Sequence, residues 1–209
     1  MSSALDRFMQ ISPVVPVVVI EDVQHAVPLA RTLVEGGVAV IEVTLRSDAA
    51  LASIAAIARD VPEIMLAVGT VLNAQQLQSA KDAGATLAIS PGIDRDLIDA
   101  SVRMQIPLLP GIATASELML GLNAGLTRFK LFPATAINGL ELAKAFAGPF
   151  AQARFCPTGG ISLEAAPSYL AQPNILCIGA SWLASAADIR AARWDSIRSN
   201  AQKARALAV

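Results

Sequence analysis

The chain has 209 residues and a formal net charge of −1, with both signs scattered. It is long enough to bury a sizeable core, and it has no basic footprint for nucleic acid. Only 16% of residues are charged and 54% are hydrophobic, yet no apolar run, the longest being near Pro13 to Ile20, approaches the roughly 18 residues that a bilayer span needs. Residues 2–11 have the pattern of a short amphipathic helix, and the first residues lack a signal peptide's apolar stretch. Val14 to Ile20 reads as a buried strand, ending at Glu21-Asp22, an acidic pair that suits a helix start. A helix then runs to Gly36-Gly37, and Val38 to Val43 forms the second strand. The alternation continues as helix Leu51–Arg59, strand Met65–Val68, helix Ala74–Ala83 and strand Thr86–Ile89. Helix Leu97–Met104, strand Pro107–Leu109 and helix Ser116–Ala124 lead to a strand around Lys130. Helix Leu140–Phe146, strand Arg154–Cys156, helix Leu163–Leu170 and strand Ile175–Ile178 complete the series. The tail, 186–209, reads as one helix with Ile189, Trp194 and Ile197 on its apolar side.

Eight short strands, each followed by a helix and with no long linker, predict a parallel sheet. The expected fold is a single-domain α/β (β/α)₈ TIM barrel spanning 1–209, with an N-terminal helix within 1–12 and a C-terminal helix over 186–209. Strands that read as continuous Val/Ile/Leu runs fit a sheet covered on both faces. An open doubly wound sheet is the structural alternative. Glycines 37, 84 and 125 fall where a left-handed helix C-cap favours glycine.

Cys156 and Cys177 are the only cysteines, too few for a disulfide framework, and read as buried free thiols of a reducing compartment. With His25 as the sole histidine, a metal site or a histidine-based triad has almost nothing to build on.

Among four lysines, only Lys130 interrupts an apolar strand. In Arg128-Phe-Lys-Leu-Phe-Pro-Ala134, Lys130 and Phe132 share one face while Phe129 and Leu131 share the other. Pro133 cannot donate to a ladder, so the strand should end there, with Lys130 near its C-terminal tip. An ammonium in such a place is costly unless it is paired or gives up its proton, and the neutral amine is the form that attacks a carbonyl to give a Schiff base. A lysine snorkelling to the strand end is the plain alternative. On the second strand, Glu42 is the only acid within an apolar strand run, and it shares a face with Val40, Thr44 and Arg46. A structural ion pair between Glu42 and Lys130 is the competing reading, although such pairs often add little net stability.

Active sites of barrels form at the C-terminal ends of strands. There the chain offers Gly69-Thr70-Val71, Ser90-Pro91-Gly92, Pro110-Gly111, Pro157-Thr-Gly-Gly160 and Gly179-Ala-Ser181. The last two follow strands seven and eight, where barrels commonly hold phosphate on backbone N–H groups.

As a set, Glu42-Val-Thr-Leu-Arg46, Gly69-Thr-Val71, Ser90-Pro-Gly92, Lys130-Leu-Phe-Pro133 and Pro157-Thr-Gly-Gly160 resemble the 2-keto-3-deoxy-6-phosphogluconate aldolases. The resemblance runs from about Pro13 to Leu183. It implies a class I aldolase of the (β/α)₈ fold, with Lys130 as the Schiff-base lysine and Glu42 as general acid/base. It also implies that Arg46 and Thr70 bind the pyruvyl carboxylate, that Pro91 and Phe132 shape the pocket around the pyruvyl group, and that Gly159, Gly160 and Ser181 hold the phosphate. No metal or organic cofactor is implied beyond the covalent Schiff base, and neither nucleic acid nor membrane is an expected partner. A cytoplasmic homotrimer with frequent activity on 4-hydroxy-2-oxoglutarate belongs to the same implication. Two positions depart from the family pattern: Thr135 stands where an acid is frequent, and Ala180 where a second glycine often precedes the phosphate-site serine.

The expected reaction is retro-aldol cleavage of 2-keto-3-deoxy-6-phosphogluconate to pyruvate and glyceraldehyde 3-phosphate. The alternatives are the same chemistry mainly on 4-hydroxy-2-oxoglutarate or the galactonate epimer, or a catalytically silent phosphosugar-binding barrel.

Overall fold

The computed structural model describes residues 4–207. The N-terminal helix α1 (Ala4–Gln10) buries Phe8 and Met9, and the Arg128–Asp6 ion pair ties it to the start of the Lys130 strand. The remaining elements alternate: β1 (Val14–Val18), α2 (Ala26–Glu35), β2 (Val40–Thr44), α3 (Ala50–Asp60), β3 (Met65–Gly69), α4 (Ala74–Asp82), β4 (Leu87–Ile89), α5 (Arg95–Met104), β5 (Leu108–Leu109), β6 (Gly111–Ile112), α6 (Ala115–Asn123), β7 (Arg128–Leu131), α7 (Gly139–Phe146), β8 (Arg154–Pro157), α8 (Ala166–Leu170) and β9 (Ile178–Ala180). Every strand pairing is parallel, and the sheet curls with its helices outside. This is the α/β arrangement that near-continuous Val/Ile/Leu strands demand, since each must be covered on both faces.

The ladders do not draw one uninterrupted ring of eight. Among the described residues they form a six-stranded sheet, ordered β5-β4-β3-β2-β1-β9, and a three-stranded sheet, β6-β7-β8. Pro110 is one reason. Its missing N–H ends the fifth predicted strand, yet pairing resumes just beyond it, leaving β5 and β6 on either side. Between β8 and β9 the contact is reduced to single parallel bridges, Phe155 with Ile175 and Thr158 with Gly179. The last strand also lies later than expected, over Ile178–Ala180 rather than 175–178.

The single C-terminal helix is a second correction. It is two helices, α9 (Ala186–Arg190) and α10 (Trp194–Arg205), separated at Ala192, which adopts φ 50°. The Arg193 N–H donates to Asp188 O (2.9 Å) and the Ala192 N–H to Ile189 O (3.0 Å), closing α9 with a left-handed cap. After this break α10 lies against α2. Ile197 and Ala201 are buried, and Arg198 pairs with Glu35 at 2.8 Å.

Side-chain caps fix the helix starts. Asn73, Asp94 and Ser185 each accept a backbone N–H in the first turn, and Thr114 forms a capping box with Glu117. No helix among the described residues is long and apolar enough to cross a membrane.

Candidate functional site

Strand register delivers the central pair. Glu42 lies level with Val17 and Ala67 on its neighbouring strands, and Lys130 level with Gly111 and Cys156. Phe129 and Leu131 point to the opposite face and are fully buried among the helices. Lys130 Nζ and Glu42 Oε1 meet at 3.1 Å, with the two residues only 6% and 2% exposed. A charged pair so far from water is strengthened by the low local dielectric, and its desolvation is costly. The Lys130 Nζ also lies 5.2 Å from the centroid of the Phe132 ring.

Glu42 is confined from the side of β3. A Cβ at Gly69 would overlap Glu42 Oε1 and lie 2.7 Å from its Cγ. The carboxylate therefore occupies space that any other residue at 69 would fill. Thr44 Oγ1 donates to Val18 O at 2.9 Å, locking β2 to β1 just above the pair.

The pair sits in a cavity of about 910 Å³ opening at the C-terminal strand ends. All nine residues singled out from the sequence line it: Lys130 and Glu42 at its base, with Arg46, Thr70, Pro91, Phe132, Gly159, Gly160 and Ser181 around them. Thr70 follows β3 with φ 62°, in the left-handed region that β-branched residues rarely enter. Among the described residues, no protein acceptor meets the Arg46 guanidinium, the Ser181 hydroxyl or the amides of Gly159 and Gly160. The cavity thus presents free anion-binding donors at two separate places, Arg46 after β2 and the Gly159–Ser181 region after β8 and β9. That is the requirement of a ligand carrying two anionic ends.

Several lining residues were not singled out from the sequence. Thr44 shares Glu42's face by strand parity, whereas Val17 and Val19 depend on the register of β1 against β2, which sets Val17 level with Glu42. Thr158 stands inside a motif that was read for its glycines. Ser162 comes from the loop after β8 and Trp182 from the short 3-10 helix Trp182–Ala184 after β9, which no periodicity announces.

The two cysteines are free and buried. Cys156 lies on β8 and Cys177 just before β9, and their side chains meet through a hydrogen bond. The Cys177 thiol is pushed well above its usual range by hydrogen bonding with Cys156, then by burial and by the nearby Glu42 charge. It is thus held as an inert thiol. His25 packs against Trp194, ring centroids 5.9 Å apart. Among the described residues no group of three or more His, Cys, Asp or Glu could hold a metal ion.

The family description "Aldolase: KDPG and KHG aldolase" matches residues 5–200. The chain belongs to the KDPG and KHG aldolase family. It is 50% identical over 202 residues to the KHG/KDPG aldolase of Escherichia coli strain K12, covering 97% of this chain and 95% of that one. Two solved aldolases of the family share its architecture. One is the 2-keto-3-deoxy-6-phosphogluconate aldolase of Zymomonas mobilis ZM4 with 3-phosphoglycerate (TM-score 0.92, 45% identity, 98% and 96% of the two chains). The other is the KDPG aldolase of Legionella pneumophila, with pyruvate captured at low pH as a covalent carbinolamine intermediate (TM-score 0.95, 39% identity, 97% and 98% coverage).

Proposed function

We propose that this chain is a class I aldolase, a lyase that cleaves 2-keto-3-deoxy-6-phosphogluconate to pyruvate and glyceraldehyde 3-phosphate. The observation that carries this reading is the buried Lys130–Glu42 pair, 3.1 Å apart, at the base of a cavity with free anion donors at two places. An amine that captures a keto acid and a carboxylate beside it are the two groups a Schiff-base aldol cleavage requires. The family membership and the carbinolamine captured in the Legionella relative support the same chemistry.

Lys130 attacks the C2 carbonyl as the neutral amine. Loss of water from the carbinolamine gives an iminium, which accepts the electron pair released when the C3–C4 bond breaks. Glu42 takes the C4 hydroxyl proton during cleavage and returns a proton to C3 of the enamine. Hydrolysis then frees pyruvate and Lys130. Arg46 and Thr70 hold the pyruvyl carboxylate, and Pro91 and Phe132 wall the pyruvyl group. Gly159, Gly160 and Ser181 bind the phosphate through N–H and O–H donors, which charge assistance makes strong. No metal or organic cofactor enters these steps.

A second reading, the same chemistry on 4-hydroxy-2-oxoglutarate, is favoured by the dual name of the Escherichia coli relative. Pyruvate release from each substrate in parallel tests both. The proposal requires the phosphorylated keto acid to have the higher kcat/KM, and a clear preference for 4-hydroxy-2-oxoglutarate would replace it.

We read the two ladders as arcs of one single-domain (β/α)₈ barrel, jointed at Pro110 and at the Thr158–Gly179 bridge. The family resemblance supports a cytoplasmic homotrimer. Light scattering should give three chains per particle, and a stable monomer at micromolar concentration would contradict it.

A further inference from the structure

Gly159 and Gly160 have φ of 108° and 79°, two successive left-handed residues in the loop after β8. Consecutive amides in such a turn can form an anion-binding concavity, but only if something holds their peptide planes. The continuation of the Lys130 strand does so. The Ala134 N–H donates to Thr158 O at 2.8 Å, and the Thr135 N–H donates to Gly159 O at 3.0 Å. Both peptides are trans, so each N–H points away from the carbonyl of the same plane. With the carbonyls of Thr158 and Gly159 tied to residues 134 and 135, the amides of Gly159 and Gly160 are turned the opposite way. Both residues line the cavity, and neither amide has a protein acceptor among the described residues.

One side chain takes part in this clamp. Thr135 Oγ1 donates a second hydrogen bond to Gly159 O at 3.1 Å. It also lies over Gly160 so closely that a Cβ there would overlap it. We infer that Thr135 is a positioning residue, whose hydroxyl fixes the Gly159–Gly160 peptide so that its N–H faces the phosphate of the substrate. This assignment rests on the function proposed above and extends it to a residue that touches neither the substrate nor Lys130. Because the same segment carries Phe132 and begins at Lys130, it links the phosphate end of the cavity to the Schiff-base end through the backbone.

Thr135 is exposed, so its substitution leaves the core intact. Thr135→Val keeps the shape and the backbone N–H but removes the hydroxyl donor. Thr135→Ser keeps the donor. The expected result for Thr135→Val is a KM for 2-keto-3-deoxy-6-phosphogluconate raised about 2–10-fold, the size of one net hydrogen bond, with kcat within about twofold. KM for unphosphorylated 4-hydroxy-2-oxoglutarate and deuterium exchange at the pyruvate methyl should stay at wild-type values. Thr135→Ser should restore the phosphorylated substrate's KM. An unchanged KM in Thr135→Val, or an equal rise on both substrates, would overturn the assignment and leave the aldolase reading standing. A wild-type chain that does not turn over the phosphorylated substrate would overturn both.

Discussion

Lys130 and Glu42 are each other's hydrogen-bond partner in a place nearly closed to water, and this separates two accounts of Glu42. If it is the acid/base, Glu42→Gln keeps the shape and loses only the proton traffic. The variant should then fold and bind pyruvate, while cleavage and methyl deuterium exchange fall by about 10²–10⁴-fold. If Glu42 merely neutralised Lys130, its loss would leave an unpaired buried charge, at about 3–5 kcal/mol in stability, with near-normal exchange in the folded fraction. We expect the first pattern, read by urea unfolding and by proton NMR of the pyruvate methyl. Gly69 tests the same carboxylate from outside the pair. Its backbone is ordinary strand, so only space excludes a side chain, and Gly69→Ala should displace Glu42, costing about 1–3 kcal/mol in stability as overpacking does and slowing exchange. Wild-type exchange in that variant would mean that Glu42 tolerates displacement. At this scale much was legible from the sequence, because strand alternation assigns a face to every residue once one is known. Glu42, Arg46, Lys130 and Phe132 could be placed inward on that ground alone. The hold of Thr135 on Gly159 joins residues 24 apart and has no periodic signature.

Elements read well where one local signal dominated. Gly37, Gly84 and Gly125 all take the left-handed cap conformation expected of them. Boundaries failed where the deciding partner was remote or the signal was weak. The tail 186–209, of which 208–209 lie outside the described residues, reads as one continuous amphipathic helix, since nothing in alanine announces a left-handed turn, yet the chain breaks at Ala192 and α10 turns onto α2. Pro110 reads as the end of a strand, whereas the chain resumes pairing immediately after it in β6. A related strain is open to test at α5, whose C-cap Gln105 sits at φ 55°, ψ 40°. Gln105 is exposed, so Gln105→Gly isolates the backbone term. It should relieve the left-handed penalty of about 1–2 kcal/mol per non-glycine residue, less the entropy that glycine adds to the unfolded chain. A net gain of about 0.5–1 kcal/mol is expected in denaturant titration, and a loss would mean that the Gln105 side chain contributes more than its exposure suggests.

For the whole molecule, the curled parallel sheet brings residues from seven segments of the chain to one cavity. Glu42 and Arg46 come from β2 and its end, Thr70 from the end of β3, and Pro91 from the end of β4. Lys130 comes from β7 and Phe132 from just after it, the glycine pair from the loop after β8, and Ser181 from the end of β9, while Val17 of β1 and Val19 beyond it form an apolar wall. The alternation of strands and helices forecast this convergence, because a parallel sheet presents all its C-terminal ends on one side. The interruption at Pro110 and the thin seam between β8 and β9 were not forecast, since ladder continuity depends on neighbouring strands and not on any one of them. Class I chemistry in this chain requires a covalent bond between Lys130 and the keto acid, and borohydride reduction in the presence of pyruvate traps that bond. One reduced pyruvyl group per chain, mapped by peptide mass to Lys130 and absent from Lys130→Arg, is the predicted result. Label on Lys81, Lys144 or Lys203, or no label while pyruvate is still released from the substrate, would contradict it.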